Sequence, residues 1–189
     1  MKLNEVAEIK FCLATPTPKG ETATRTVLSP SKLADKTILD LTDRTVFEFE
    51  ESKYKVDDDA DVTAETIIIK RICPIGIMYV EQAGTDIFSS GNMILVKATS
   101  VDPRYLACIL NREIPIIIKA MEGTRLPALT RKVLDNIEIP IVSAKEQAAI
   151  GKIWIDNYKI EELRKRLIEK EKAANDNKLY KFITDNKEK

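Results

Sequence analysis

Residues 66–98 hold three short apolar runs, and these constrain the fold more than anything else in the chain. The first, TIIIKRI (66–72), is β-branched and mostly apolar, which predicts a buried strand that Pro74 ends. IGIMYVE (75–81) predicts the next strand. The turn-rich link AGTDIFSSGN (83–92) leads to a further strand in MILVKA (93–98). Runs this short and apolar need cover, and the rest of the chain has to supply it.

Upstream, LNEVAEI (3–9) suits an opening strand or short helix. FCLATPTPKGETATRT (11–26) breaks it, with prolines, a glycine and threonines that favour a loop or an extended arm. Leu33, Ile38, Leu39 and Leu41 resume apolar spacing. RTVFEFEESKYKV (44–56) alternates apolar and polar residues and predicts half-buried strand or hairpin. Downstream, Asp102-Pro103 opens a helix, with Pro103 at a first-turn position that needs no N–H donor. Tyr105, Leu106, Ile109 and Leu110 form its apolar stripe. Ile114–Ile118 is a second apolar run, and Gly123 and Pro127 bracket a loop. Thr130 caps a short helix through Val133 and Leu134, and Ile137–Val142 reads as a strand. Strands mixed with short helices, without regular βαβ alternation, make an α+β class.

The C-terminal segment differs in kind. Ser143 and Glu146 form a capping box that opens a helix. Ile150, Ile153, Trp154, Ile160, Leu163 and Leu167 recur at three-four spacing, with Asn157 inside the stripe. About three heptads of this pattern suit a coiled-coil seam, where Asn157 would fix register. The helix is expected to fray near Asn175–Asn177, before a last apolar patch at Leu179, Phe182 and Ile183. The expected division is a domain over 1–142 and a helix with tail over 143–189.

Composition removes whole classes of chemistry. At 189 residues and 44% apolar, the chain buries one good core. It contains no histidine, so Ser-His-Asp and Cys-His nucleophiles are excluded. No GxGxxG or GxxxxGK[ST] loop occurs. Cys12, Cys73 and Cys108 lie far apart with apolar neighbours, which favours reduced, buried thiols over a zinc site. Asp57, Asp58, Asp59 and Asp61 suggest a calcium loop, but Val62 stands where that motif needs glycine and Ile68 where it needs glutamate. A solvated acidic turn is the expectation. MKLNEVAEIK has no signal-peptide core, and no apolar run approaches a membrane span, so a cytoplasmic protein is expected.

Formal net charge is zero but unevenly spread. Residues 35–65 carry four basic and eleven acidic side chains, whereas residues 141–189 carry twelve and nine. Any basic face must therefore be built locally.

Several phrases, in order, resemble the specificity subunits of type I DNA restriction–modification systems. TAETIIIKRICPIGIMYVEQAGTDIFSSGNMILVKA resembles that family's paired strands, with Glu65-Thr66 where Gly-Asp is usual. PRYLACILN resembles its “P-E-Y-L” helix. GTRLPALTRKVLDNIEIPI matches the spacing of its domain close, and KEQAAIGKIW resembles the “E-Q” start of its long helix. The likeness is good over 62–172 and loose over 1–60.

The resemblance implies a mixed-sheet target recognition domain followed by a long coiled-coil-like helix. It implies a non-catalytic protein that binds double-stranded DNA by sequence and recruits a methyltransferase subunit, with a restriction motor subunit joining. No cofactor is expected, since an S-adenosylmethionine site would lie in the partner. Family members usually carry two domains on antiparallel helices, whereas this chain shows one of each, which implies an antiparallel homodimer through 143–172. DNA contacts are expected from Lys70, Arg71, Lys119, Thr124, Arg125, Arg131 and Lys132, with weaker candidates at Lys19, Arg25, Lys32, Ser89, Ser90 and Asn92. Two rivals stand beside this reading. One is an assembly or regulatory protein of such a complex that binds through its C-terminal helix and does not read DNA. The other is an enzyme using paired carboxylates.

Overall fold

The computed structural model describes residues 1–12, 14–16, 26–28, 33, 36–42, 49–51, 54–56, 60–72, 74–89, 91–121 and 128–185. Residues 1–152 form one compact unit, and residues 153–189 form a second.

The three apolar runs become β7 (Ile67–Lys70), β8 (Ile77–Ala83) and β10 (Met93–Ala98), adjacent in one sheet. β1 (Ala7–Phe11) and β4 (Ile38–Leu41) flank them, giving the five-stranded order β1-β10-β7-β8-β4. All pairs are antiparallel except β4 with β8, so the sheet is mixed. Residues 67–69, 77–80 and 93–96 are buried without alternation, as strands covered on both faces must be.

The two faces have different covers. Ile68, Met78, Val80, Met93 and Leu95 pack with Cys12, Leu28, Leu33, Leu39, Leu41, Val62 and Ile87. The pleat sends Ile67, Ile69, Ile77, Tyr79, Ile94 and Val96 to the opposite face. There α2 (Pro103–Met121) packs against β8 and β10. Each fully buried isoleucine of this centre is worth about 1.5–3 kcal/mol of burial, so the centre is the main source of stability.

Short strands form two smaller sheets. β2 (Ala14–Pro16) pairs with β6 (Tyr54–Val56), and β3 (Thr26–Leu28) pairs with β5 (Phe49–Glu51) and β9 (Phe88–Ser89). The described strands of the 44–56 segment, β5 and β6, thus pair with different upstream strands and not as a hairpin, while residues 44–48, 52 and 53 lie outside the described residues. The chain opens as both expected forms, with α1 (Leu3–Val6) running into β1.

One further expectation is corrected. Ile137–Val142 forms no strand. It makes one bridge, Glu138 to Lys2, and the backbone pair of Ile139 with Met1, and Pro140 then lacks the N–H to continue a ladder. The second apolar run, Ile114–Ile118, continues α2 through Pro115.

α3 (Arg131–Asp135) follows Thr130, which holds the N-cap position without a side-chain capping bond. α4 (Ala144–Asp185) opens with the predicted capping box. The Ser143 amide and hydroxyl donate to Glu146 Oε2 at 2.9 and 2.6 Å, and the Glu146 amide donates back to Ser143 Oγ at 3.3 Å. The helix does not fray at Asn175–Asn177 but is continuous to Asp185. No described helix is long and apolar enough to cross a membrane. Among the described residues no group of three or more Cys, Asp or Glu side chains is placed to hold a metal. Asp57, Asp58 and Asp59 lie outside them, while Asp61 pairs with Lys97 at 3.4 Å.

Glu65, which stands where the resembling family has glycine, adopts φ 66°, a left-handed conformation that favours glycine. Thr66 beside it is fully buried, and its hydroxyl accepts the Thr63 amide at 3.3 Å. Glu65→Gly removes the backbone strain at some cost in unfolded-chain entropy. The expected net gain is about 0.5–1 kcal/mol, a melting temperature higher by roughly 1–4 °C. A melt of Glu65→Gly at or below wild type would disprove the strain.

Candidate nucleic-acid interface

The cationic candidates separate into two kinds. Arg71, just past β7, is half-buried. Its guanidinium lies 5.8 Å from the Phe11 ring centroid, and its Nε donates to the Leu129 carbonyl at 3.4 Å. The Leu129 amide donates to the Arg71 carbonyl at 2.8 Å, and Ile72 bridges Ala128. Arg131 is held in a similar way. Its guanidinium donates to the Ile9 carbonyl at 2.9 Å and pairs with Asp135 at 3.1 Å. Both arginines thus converge on β1, at the sheet's edge, and both carry structural bonds.

The lysines are less engaged. Lys70 ends β7 half-buried, with its stem over Gly76, where an added Cβ would meet its Cδ at 3.4 Å. Lys119 is exposed in the last turn of α2, and Lys132 is exposed on α3, which neighbours α2. Thr124, Arg125, Lys19, Arg25, Lys32 and Ser90 lie outside the described residues. Ser89 is buried in β9, and Asn92 is exposed at φ 68°.

Sequence reasoning missed a polar junction where α2 begins. Asp102 caps α2 by accepting the Arg104 amide at 2.9 Å and the Tyr105 amide at 3.2 Å, and it pairs with the Arg104 guanidinium at 2.7 Å. Burial pushes the Asp102 carboxyl up, but the Arg104 bonds and charge, with these amides, outweigh it and hold it below the usual range. The Asp102 amide donates to Gln147 Oε1 at 2.9 Å, and Gln147 Nε2 donates to the Val142 carbonyl at 2.9 Å. Gln147 is buried, and one turn later Gly151 meets α2 directly. A Cβ there would sit 2.7 Å from Arg104 Cβ and 2.9 Å from the Tyr105 nitrogen. The Asp-Pro and Glu-Gln dipeptides were the available signals, but each points to a helix start and not to their meeting.

Burial shifts two further groups. Burial, with Glu65 nearby, pushes the Tyr79 phenol up to about 12. Cys12 and Cys108 are buried, and burial raises the Cys108 thiol. Cys73 lies outside the described residues.

On α4, Ile150, Ile153, Asn157, Ile160, Leu163 and Leu167 are exposed, Leu163 to 64% and Ile153 to 60%. At 3.6 residues per turn they lie roughly 60–180° round the helix from Gln147 and Gly151. Trp154 is half-buried, with its ring 6.0 Å from that of Tyr158, and Ile155 is buried. The apolar stripe and the side that meets α2 are therefore different sides of one helix.

A family model for the type I restriction modification DNA specificity domain matches residues 1–173. The chain belongs to that family. The family is one of specificity domains, non-catalytic parts of restriction–modification complexes. Among solved structures, the HsdS subunit from Thermoanaerobacter tengcongensis is similar at TM-score 0.56 and 15% identity, over 85% of this chain and 37% of that one. The type I restriction-modification system S subunit from M. genitalium is similar at TM-score 0.50 and 17% identity, over 85% of this chain and 40% of that one. At these identities the likeness shows the fold, a mixed sheet followed by a long helix. The chain spans well under half the length of either neighbour. No curated protein sequence matches it.

Two outcomes follow from the bonding. Arg71→Ala loses a ring contact and a hydrogen bond and is expected to destabilise the fold by about 1–2 kcal/mol, whereas Lys132→Ala stays within about 0.5 kcal/mol. Denaturant melts that rank them equally would refute the division of the cations. Tyr79 gives a pH effect. Below pH 10 the phenol is protonated in both states. Between about 10 and about 12 the unfolded chain gives up the proton and the folded chain does not, so stability falls across that window. Tyr79→Phe should lose less stability there, and identical slopes for the two proteins would show that Tyr79 is not the group.

Proposed function

We propose that this chain is the sequence-reading component of a type I restriction–modification complex, acting in the cytoplasm on double-stranded DNA as half of a two-fold pair. The observation that carries the reading is the family match over 1–173. Residues 1–142 act as the recognition domain, and residues 143–189 form the helix and tail. Each domain reads one half of a two-part site, and a methyltransferase subunit binds the paired frame, with a restriction motor subunit joining it. The chemistry of methyl transfer, with its S-adenosylmethionine, belongs to that partner.

The exposed stripe supports an antiparallel pairing of α4 with a second copy. Ile150, Ile153, Ile160, Leu163 and Leu167 face solvent in a row, and pairing removes apolar surface worth about 25 cal/mol per Å². Asn157 sets the register, since a polar group in an apolar seam is satisfied only when it meets a partner. Trp154 borders the seam. For DNA, Lys119 and Lys132 are the exposed phosphate contacts. Arg71 and Arg131, held beside β1, and Lys70, at the end of β7, add to them, and Thr124 and Arg125 complete the set.

Mapping of methylated adenines in a host lacking other modification tests this, with the chain co-expressed with its methyltransferase subunit. The expected motif is two inverted half-sites with a fixed gap, as two-fold symmetry requires. Leu163→Asp, which puts a charge in the seam, is expected to abolish methylation while the domain stays folded. An asymmetric motif would mean a second specificity chain in place of the copy. A stable complex with no methylation would leave an assembly protein that does not read DNA.

A further inference from the structure

Gln147 and Gly151 carry an inference that rests on the reading above and concerns how the gap between half-sites is chosen. Gln147 is 6% exposed, and both ends of its amide are used, one accepting the Asp102 N–H and the other donating to the Val142 carbonyl. A rotation of the helix that breaks either bond leaves a buried amide group unpaired. Gly151 sets the approach, because one atom in its way is the backbone nitrogen of Tyr105, 2.9 Å from where a Cβ would stand. Backbone does not swing aside as a side-chain tip does. Tyr105 is itself fixed, its hydroxyl donating to the Pro140 carbonyl at 2.7 Å. One residue therefore restrains the rotation of the first turns of α4 on α2, and the other sets their separation.

We infer that Gln147 and Gly151 are positioning residues for DNA selection. They hold the first turns of α4 in a single pose on the recognition domain, and that pose sets the gap a two-fold pair accepts. A helix magnifies a change at its base. Twenty residues span roughly 30 Å, so a tilt of about 7° displaces the far end by about 3.4 Å, the rise of one base pair. Neither residue contacts DNA on this account.

The test uses the full chain with its methyltransferase subunit and duplex probes that carry the mapped half-sites at the mapped gap and at gaps one and two base pairs longer or shorter. Wild type is expected to prefer its own gap over a one-base-pair change by about tenfold or more, the size of a single lost base contact. Gly151→Ala and Gln147→Met are expected to reduce that preference to roughly threefold or move it to another gap, with the half-site sequence unchanged. Affinity for a probe with one half-site should stay near wild type. Glu169→Gln, exposed and on the side of the helix away from the apolar stripe, should behave as wild type. Folded variants that keep the wild-type gap preference overturn the proposal. So does a parallel loss of affinity for the single half-site, which marks a merely structural role. If Gly151→Ala does not fold, Gln147→Met decides alone. A wild type with no gap preference fails one step earlier, at the two-fold reading, and that result is read before any variant.

Discussion

The domain depends on a sheet whose centre no water reaches. β10, β7 and β8 bury side chains on both faces, so the chain has to provide two covers, and it does so by different means. One face receives a single continuous element, α2, seated through Tyr105, Leu106 and Leu110. The other receives a cluster assembled from separate places, with Cys12, Leu28, Leu33, Leu39 and Val62 each arriving from a different segment. A helix covers a face with local contacts. A cluster gathered from distant segments must close several loops before it contributes, which makes that face the more costly to order.

α2 also sets where α4 begins. Asp102 caps the first helix with its carboxylate and donates its own amide to Gln147, so one residue serves the starts of two helices. The carboxylate suits the cap because the first amides of α2 lack intrahelical acceptors and the macrodipole is positive there. Arg104 then neutralises the charge that the cap leaves half-buried. Removing the Asp102 carboxyl would strip the cap from α2 and leave Arg104 without its partner, so the junction behaves as a unit and not as separable bonds.

Much of this was legible in the sequence, and the parts that were not share a cause. β7, β8 and β10 declared themselves because consecutive β-branched residues between turn signals have few other uses. The Ser143–Glu146 capping box is a local device, and local devices are read locally. Long-range partners were not readable. Nothing in ILDL announces that β4 runs parallel to β8, and nothing in the 44–56 alternation says that its halves pair with different strands. Ile114–Ile118 read only as a second apolar run, and it continues α2 through Pro115. For the candidate interface the difficulty was sharper. A basic side chain reads alike whether it faces a phosphate or its own backbone, and Arg71 and Arg131 carry bonds to the carbonyls of Leu129 and Ile9 that no spacing rule could supply.

The stripe on α4 shows why residue type alone misleads about which side of a helix faces home. Isoleucines and leucines are the usual sign of the side that packs on a chain's own core. In the first turns of α4 the side that meets α2 instead carries a glutamine and a glycine, and the apolar row is left to solvent. The inversion makes physical sense for a helix serving two surfaces. Where it meets its own domain, the approach is close enough to exclude a Cβ, so a large apolar residue has no room. Precision there comes from a buried amide whose bonds are directional. Where it is left exposed, area counts for more than direction, and a row of branched side chains supplies it. An exposed row of this kind is a standing cost unless a partner covers it, and the proposed pairing of α4 rests on that cost.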